Sequence, residues 1–167
     1  MTSYAFVHAT VLDGSRDMVL RPETTVCVGG GRITAVGPSA STIPPAGARE
    51  IDLAGKYLMP GLINAHVHLC GSGKPISAGG AGSIMDKVTG NPVGRLILRK
   101  ILAGSAKQQL MSGVTTLRSV GDPGFADVEV RNGINAGRMT GPRILASGVG
   151  VTVPNGHGAG LFANIAK

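Results

Sequence analysis

Two imidazoles separated by one residue close an apolar run, Leu62-Ile63-Asn64-Ala65-His66-Val67-His68. In a strand, side chains two apart leave the same face, so His66 and His68 can both reach one cation. Neutral imidazole is a common metal ligand, which makes divalent-metal binding the chemistry this spacing offers. The pair is not a whole centre. The chain has only four histidines, His8, His66, His68 and His157, and a zinc site usually takes about four ligands, counting water. The alternative is a pair of structural histidines satisfied by hydrogen bonds.

Other residues with chemical potential are weaker candidates. Cys27 and Cys70 are too few and too far apart for a metal knuckle or a redox pair. Cys70 follows the histidine pair closely, but a loop or buried thiol is the favoured reading. Gly29-Gly30-Gly31 lacks the strand-to-helix setting of a phosphate loop and reads as a turn.

These residues need elements to position them. Up to Pro60 the chain reads as short strands: Tyr4 to Leu12, Thr24 to Val28 and Arg32 to Val36, the last two forming a hairpin across the glycines. Residues 39–48, with two prolines, read as a loop, and Ile51-Asp52-Leu53 and Tyr57-Leu58-Met59 flank a further turn. So few short strands bury little surface, so residues 1–60 are expected to form part of a β layer completed by other chain.

After Pro60 the pattern becomes strand, helix, strand. Leu62 to His68 suits a central, buried parallel strand and is followed by a glycine-rich loop over residues 71–82. A helix is predicted over Pro92 to Met111, with Ile97, Ile101 and Gly104 on one face. Gly113 ends it, and Val114 to Leu117 is a second strand. A second helix over Phe125 to Ala136 carries the stripe Ala126, Val130 and Ile134, and Ile144 to Val149 is a third strand. The order βαβαβ implies an α/β fold over residues 61–167 with chemistry at the carboxyl ends of its strands. His66 and His68 lie at that end of the first strand, and His157 follows the third.

Composition agrees with buried strands joined by tight turns. Hydrophobic residues make up 43% of the chain and aromatics 3%, with 27 glycines and no tryptophan. The formal charge of +7 is spread thinly. Its one concentration, Arg95, Arg99, Lys100 and Lys107, sits on a helix without interleaved aromatics, so no nucleic-acid partner is expected. No membrane span is expected either, and the absence of an evident leader together with sparse cysteines points to the cytoplasm.

Pro60-Gly61-Leu62-Ile63-Asn64-Ala65-His66-Val67-His68 resembles the first-strand signature of the amidohydrolase superfamily. Gly30-Gly31-Arg32-Ile33, Ile51-Asp52-Leu53-Ala54-Gly55-Lys56, Gly113-Val114-Thr115-Thr116-Leu117-Arg118 and Asn135-Ala136-Gly137-Arg138 are similar to the branch holding imidazolonepropionase-like enzymes and prolidase-like dipeptidases. Asn155-Gly156-His157-Gly158 is similar to the third-strand loop of that branch.

The resemblance implies the amino-terminal portion of a metal-dependent hydrolase: part of a small β-sandwich (1–60) and the first three βα units of an incomplete (β/α)8 TIM barrel (61–167). It implies one or two divalent ions, Zn2+ being the first choice, with His66 and His68 as ligands to the more buried one. The substrate is expected to be a small amide, such as a dipeptide or an N-acyl amino acid, with His157 contacting it or else shaping its loop, and Arg118 as a weaker candidate contact. The branch usually has an acidic residue after the arginine. Here Ser119 follows, and Asp122 is expected to pair with Arg118 across the turn, a structural charge pair being favoured over substrate recognition. Lys167 precedes the expected fourth strand and is not cast as a metal bridge. The remainder of the enzyme, as further or separate chain, and a homo-oligomer are the expected partners, and residues 1–167 alone are expected to be inactive. A non-catalytic remnant or a metal-binding assembly module of the same fold is the alternative.

Overall fold

The computed structural model describes residues 2–71, 87–151 and 153. Most of the expected 71–82 loop, His157 with its surrounding motif, and Lys167 lie outside the described residues. The chain divides into two compact units, Met1–Pro60 and Gly61–Lys167.

The first unit is a five-stranded sheet of β1 (Tyr4–Leu12), β2 (Leu20–Gly29), β3 (Arg32–Pro38), β4 (Arg49–Asp52) and β5 (Tyr57–Leu58). The order is β3-β2-β1-β4, with β5 also pairing β1. The β2–β3 hairpin forms as the three glycines require, with Gly29 opposite Arg32. β1 runs parallel to β4 as far as Val7 opposite Asp52, then to β5 from Thr10 opposite Tyr57. His8 sits at this change of partner with a positive φ of 51°. Its carbonyl accepts from Gly55 N–H at 2.7 Å, and its ring meets Asp52 at 3.2 Å. Ala54 N–H and then His8 hold the exposed Asp52 carboxyl below its ordinary value. His8 thus shapes a bulge. Ala9, Val11 and Val26 are buried together, with Val28, Leu53 and Leu58 packed against them.

The second unit is mixed α/β. Its strands β6 (Leu62–Val67), β7 (Val114–Ser119) and β8 (Arg143–Ala146) alternate with the helices α1 (Pro92–Met111) and α2 (Ala126–Asn135). The strands form a parallel sheet in sequential order. Asn91 caps α1, its Oδ1 accepting from Gly94 N–H at 2.7 Å, and Pro92 occupies the first turn, where its missing N–H costs nothing. Asp127 and Glu129 stand in the first turn of α2, where the helix dipole favours negative charge. Leu98, Leu102 and Ala106 of α1, Ala126 and Val130 of α2, Leu117 of β7 and Ile144 of β8 form one core with Leu69. One cluster shared by both helices puts them on the same face of the sheet.

Four expectations are corrected. The buried row of α1 is Leu98, Leu102 and Ala106, whereas Ile97 and Ile101 are 53% and 52% exposed and Gly104 is also exposed. Ile97/Ile101 and Leu98/Leu102 are adjacent rows with the same four-residue spacing, so periodicity fits either. β6 is an edge strand of the described sheet rather than a buried central one, with Ile63 73% exposed. Among the described residues, helices cover one of its faces and β7 one of its edges. The second helix begins later than expected, because Pro123–Phe125 forms a 3-10 turn and Phe125 adopts a left-handed conformation. β8 stops at Ala146 because the Gly148 N–H turns toward the Asp127 carboxylate at 3.1 Å.

The choice of buried row is testable by truncation. Leu102→Ala should lower the unfolding free energy by about 2–5 kcal/mol, as cavity-forming substitutions in cores do. Ile101→Ala should change it by well under half as much in the same urea titration. Equal losses would mean that α1 is rotated from the orientation described.

Candidate metal and substrate site

The end of β6 brings the two imidazoles together. The rings of His66 and His68 have centroids 5.6 Å apart and are inclined at 75°. Both side chains border an open cavity of about 610 Å³ to which α1 contributes Ser105, Gln108 and Gln109. Asn64, two residues before His66, accepts its backbone N–H at 3.3 Å. The Asn64 amide donates to Gln109 Oε1 at 3.5 Å, tying the strand to the helix. The two glutamines carried no signal in the sequence, because a glutamine near a helix end is ordinarily solvated.

The His68 ring has a defined tautomer. Its Nδ1 lies 2.7 Å from the Gly121 carbonyl oxygen. A carbonyl only accepts, so Nδ1 carries a hydrogen, which in the neutral ring leaves the lone pair on Nε2. Metal-ligating histidines characteristically donate their second ring nitrogen to a carbonyl or carboxylate in this way. Gly121 presents that carbonyl with a φ of +140°, a conformation that side-chain-bearing residues rarely adopt.

The residue after Gly121 joins the same two loops through its carboxylate. Asp122 is 1% exposed. It accepts from Leu69 N–H at 3.1 Å, Cys70 N–H at 2.8 Å and Ser119 Oγ at 2.7 Å. Its own N–H donates to the Gly148 carbonyl at 3.0 Å. Gly148 N–H in turn reaches Asp127, which is fully buried and also accepts from Val128 N–H at 2.8 Å. Ser119, Asp122 and Asp127 thus link the ends of β6, β7 and β8. Sequence reasoning missed Ser119 and Asp127 as members. The nearest signal was an acidic residue just after Asp122-Pro123-Gly124, which equally suits a solvated helix start.

The expected Arg118–Asp122 pair does not form. Successive side chains of β7 alternate faces, leaving Arg118 exposed while Leu117 and Ser119 are buried. Asp122 joins Ser119 on the buried side. Arg118 Nε instead donates to the Ala65 carbonyl at 2.7 Å, on the strand that carries the histidines. Burial, and then the Asp122 charge, push the Cys70 thiol up to about 12, so it remains protonated at neutral pH.

The donor set fits two ligands to a divalent cation: two imidazoles at one strand end, one with its tautomer fixed by a carbonyl. Among the described residues no group of three or more His, Cys, Asp and Glu side chains is placed to hold a metal. Among the same residues no helix is long and apolar enough to cross a membrane.

Asp127 gives the site a pH signature. Burial raises its carboxyl above the ordinary 3.8, so the native state keeps this proton to higher pH than the unfolded chain does. That contribution to stability is complete below 3.8 and is lost as pH rises through the folded value. Asp127→Asn removes it. The variant's stability relative to the parent should therefore improve as pH is raised from the acid range to neutrality, whatever constant offset the lost acceptor introduces. Urea unfolding across that range checks this, and an opposite slope would refute it.

No family model matches the chain. A solved structure of a Bifidobacterium longum protein, provisionally described as a prolidase, is 38% identical with a TM-score of 0.72 and covers 94% of this chain. An imidazolonepropionase of Stenotrophomonas maltophilia is 38% identical over 72 residues, which are 43% of the chain. Another, from Cereibacter sphaeroides, is 28% identical over 151 residues, or 82% of the chain. The chain spans 33% of the length of the first of these, 17% of the second and 35% of the third. Likeness of fold along nearly the whole chain and likeness of sequence to several of its enzymes place this protein in the amidohydrolase superfamily.

Proposed function

We propose that the protein is a metal-dependent hydrolase of amide or related C–N bonds, with residues 1–167 as its amino-terminal portion. On this reading residues 61–167 are the first three βα units of a (β/α)8 barrel, and residues 1–60 are part of a composite β-sandwich. The observation that carries the proposal is the His66–His68 pair at the carboxyl end of a parallel strand, with His68 Nδ1 held by the Gly121 carbonyl. Two nearby imidazoles, one of them with its Nδ1 held by a backbone carbonyl, suit a shared cation, because metal-ligating histidines are oriented through their second ring nitrogen in this way. Support comes also from relatives named as a prolidase, a molinate hydrolase and an allantoinase.

His66 and His68 would hold a divalent cation, Zn2+ in the first instance. Such an ion activates water and polarises a carbonyl oxygen. A ligating imidazole has no lone pair left to act as a base, so these two residues hold and orient. Arg118, on the exposed face of β7 and anchored to the Ala65 carbonyl, has the charge to meet a carboxylate or carbonyl of the substrate. His157 takes the role of a second substrate contact. Small amides with a carboxylate, such as dipeptides or N-acyl amino acids, suit this set. The remainder of the enzyme is the partner that would supply the other ligands and a proton acceptor, within a cytoplasmic homo-oligomer.

The test is substitution in the full-length protein. His66→Ala and His68→Ala should each remove most of the bound metal, measured by inductively coupled plasma mass spectrometry, and most amide turnover, while circular dichroism stays that of the parent. Full metal content and unchanged turnover in both variants would defeat the assignment. Tight zinc binding by the parent with no hydrolysis of any amide would favour the metal-binding module instead.

Residues 1–167 alone should bind zinc weakly and hydrolyse no amide. Two imidazoles can recruit a cation, but hydrolysis also needs an open coordination position and a proton acceptor fixed around it. Turnover by purified 1–167, with mass spectrometry excluding longer chain, would overturn this division of labour.

A further inference from the structure

We infer that Asp122 is the positioning residue of the histidine pair, setting the His68 ring through the two loops that its carboxylate joins. The inference rests on the metal reading only for what the ring holds, since the geometry itself concerns the ring. Two sets of hydrogen bonds cross between the same short segments. His68 Nδ1 donates to the Gly121 carbonyl, while the next two residues, Leu69 and Cys70, donate their N–H groups to the carboxylate of the residue after Gly121. Val120 N–H adds a bond to the Val67 carbonyl at 3.1 Å. The ring therefore meets its acceptor only if the loop after β6 and the loop after β7 keep their offset. Asp122 sets that offset from a buried position, with Ser119 Oγ as its third donor and the Gly148 carbonyl accepting its N–H.

A carboxylate is specifically required. Its two oxygens accept from three donors on two sides, and an amide of the same shape has one accepting oxygen and an NH2 group that would face another N–H. Asp122→Asn therefore leaves a buried backbone N–H without an acceptor, a loss that relaxes the loop carrying His68. Ser119→Ala is milder, because it removes one donor and leaves both loop amides bonded.

The experiment measures the His68 tautomer and metal affinity separately in the full-length protein. Long-range ¹H–¹⁵N correlation spectra of the metal-free form report which ring nitrogen carries the hydrogen, and titration with Co2+ alone, followed by its visible absorption, reports affinity. In the parent, His68 should be the Nδ1–H tautomer. In Asp122→Asn it should become a mixture, with Co2+ binding about ten- to a hundredfold weaker, the usual effect of losing an outer partner of a ligand. Ser119→Ala should shift both in the same direction by less. Leu102→Ala serves as the control for general loosening and should leave the tautomer as in the parent.

An unchanged tautomer in folded Asp122→Asn would overturn the inference, as would an equal shift in Leu102→Ala. If Asp122→Asn does not fold, Ser119→Ala decides, an unchanged tautomer there counting against the inference and a partial shift for it. If the parent itself fails to bind Co2+, the metal reading falls, and the tautomer comparison still decides the role of Asp122.

Discussion

A carboxylate taken almost wholly out of water must find hydrogen-bond donors for both oxygens, and Asp122 finds three. Two are backbone amides of the loop after β6, and the third is a hydroxyl at the end of β7. The demand of one buried charge therefore fixes the relative placement of two strand ends. The link from the Asp122 N–H through Gly148 to Asp127 extends the constraint to the third strand. A crossover runs from the carboxyl end of one parallel strand to the amino end of the next, so it does not itself tie neighbouring carboxyl ends and the loops that follow them together. Here the restraint is polar and buried, and it lies beside the residues best suited to bind a cation.

The face on which each side chain falls decides what Arg118 can do. Asp122 and Arg118 are four residues apart and opposite in charge, yet they serve different surfaces. Ser119 and Leu117 take the helix-covered face of β7 and draw Asp122 to it, leaving Arg118 beside the Ala65 carbonyl of β6. The Arg118 bond to the Ala65 carbonyl reinforces the β6–β7 pairing and keeps the guanidinium charge on the exposed face. Had the pair formed, Asp122 would have been drawn away from the buried Leu69 amide and the half-buried Cys70 amide, leaving both donors without this acceptor.

What was legible in the sequence followed from local rules. The histidine spacing, the glycine-turned hairpin and the span of α1 between Pro92 and Gly113 depend on a few adjacent residues, and each forms as those residues require. What was not legible depended on partners distant in the chain. Two equivalent four-residue rows on α1 cannot be ranked until Leu117 and Val130 are known to face one of them. An aspartate four residues from an arginine is equally a partner or a stranger until the strand's alternation is combined with the position of a loop fifty residues earlier. Gln108 and Gln109 reach the cavity beside the histidines only because α1 packs over β6, which no local pattern encodes.

Among the described residues, the sheet that carries the site is covered on one side only. Away from the helices, Ile63 is 73% and Leu145 50% exposed, and Arg118 shares that surface. Parallel sheets are stable when both faces are covered, because their strands are apolar on both. On the proposed reading the same added chain would bury this face and complete the ligand set around His66 and His68. Assembly and chemistry would then be one event: water is excluded from the metal's surroundings when the sheet is closed, and fixed dipoles act on a developing charge most strongly where water is excluded. The polar lattice around Asp122 suits that order of events. Among the described residues it holds the His68 ring through Gly121 and Asp122 of the second unit, so one ligand is oriented before the rest of its site is built around it.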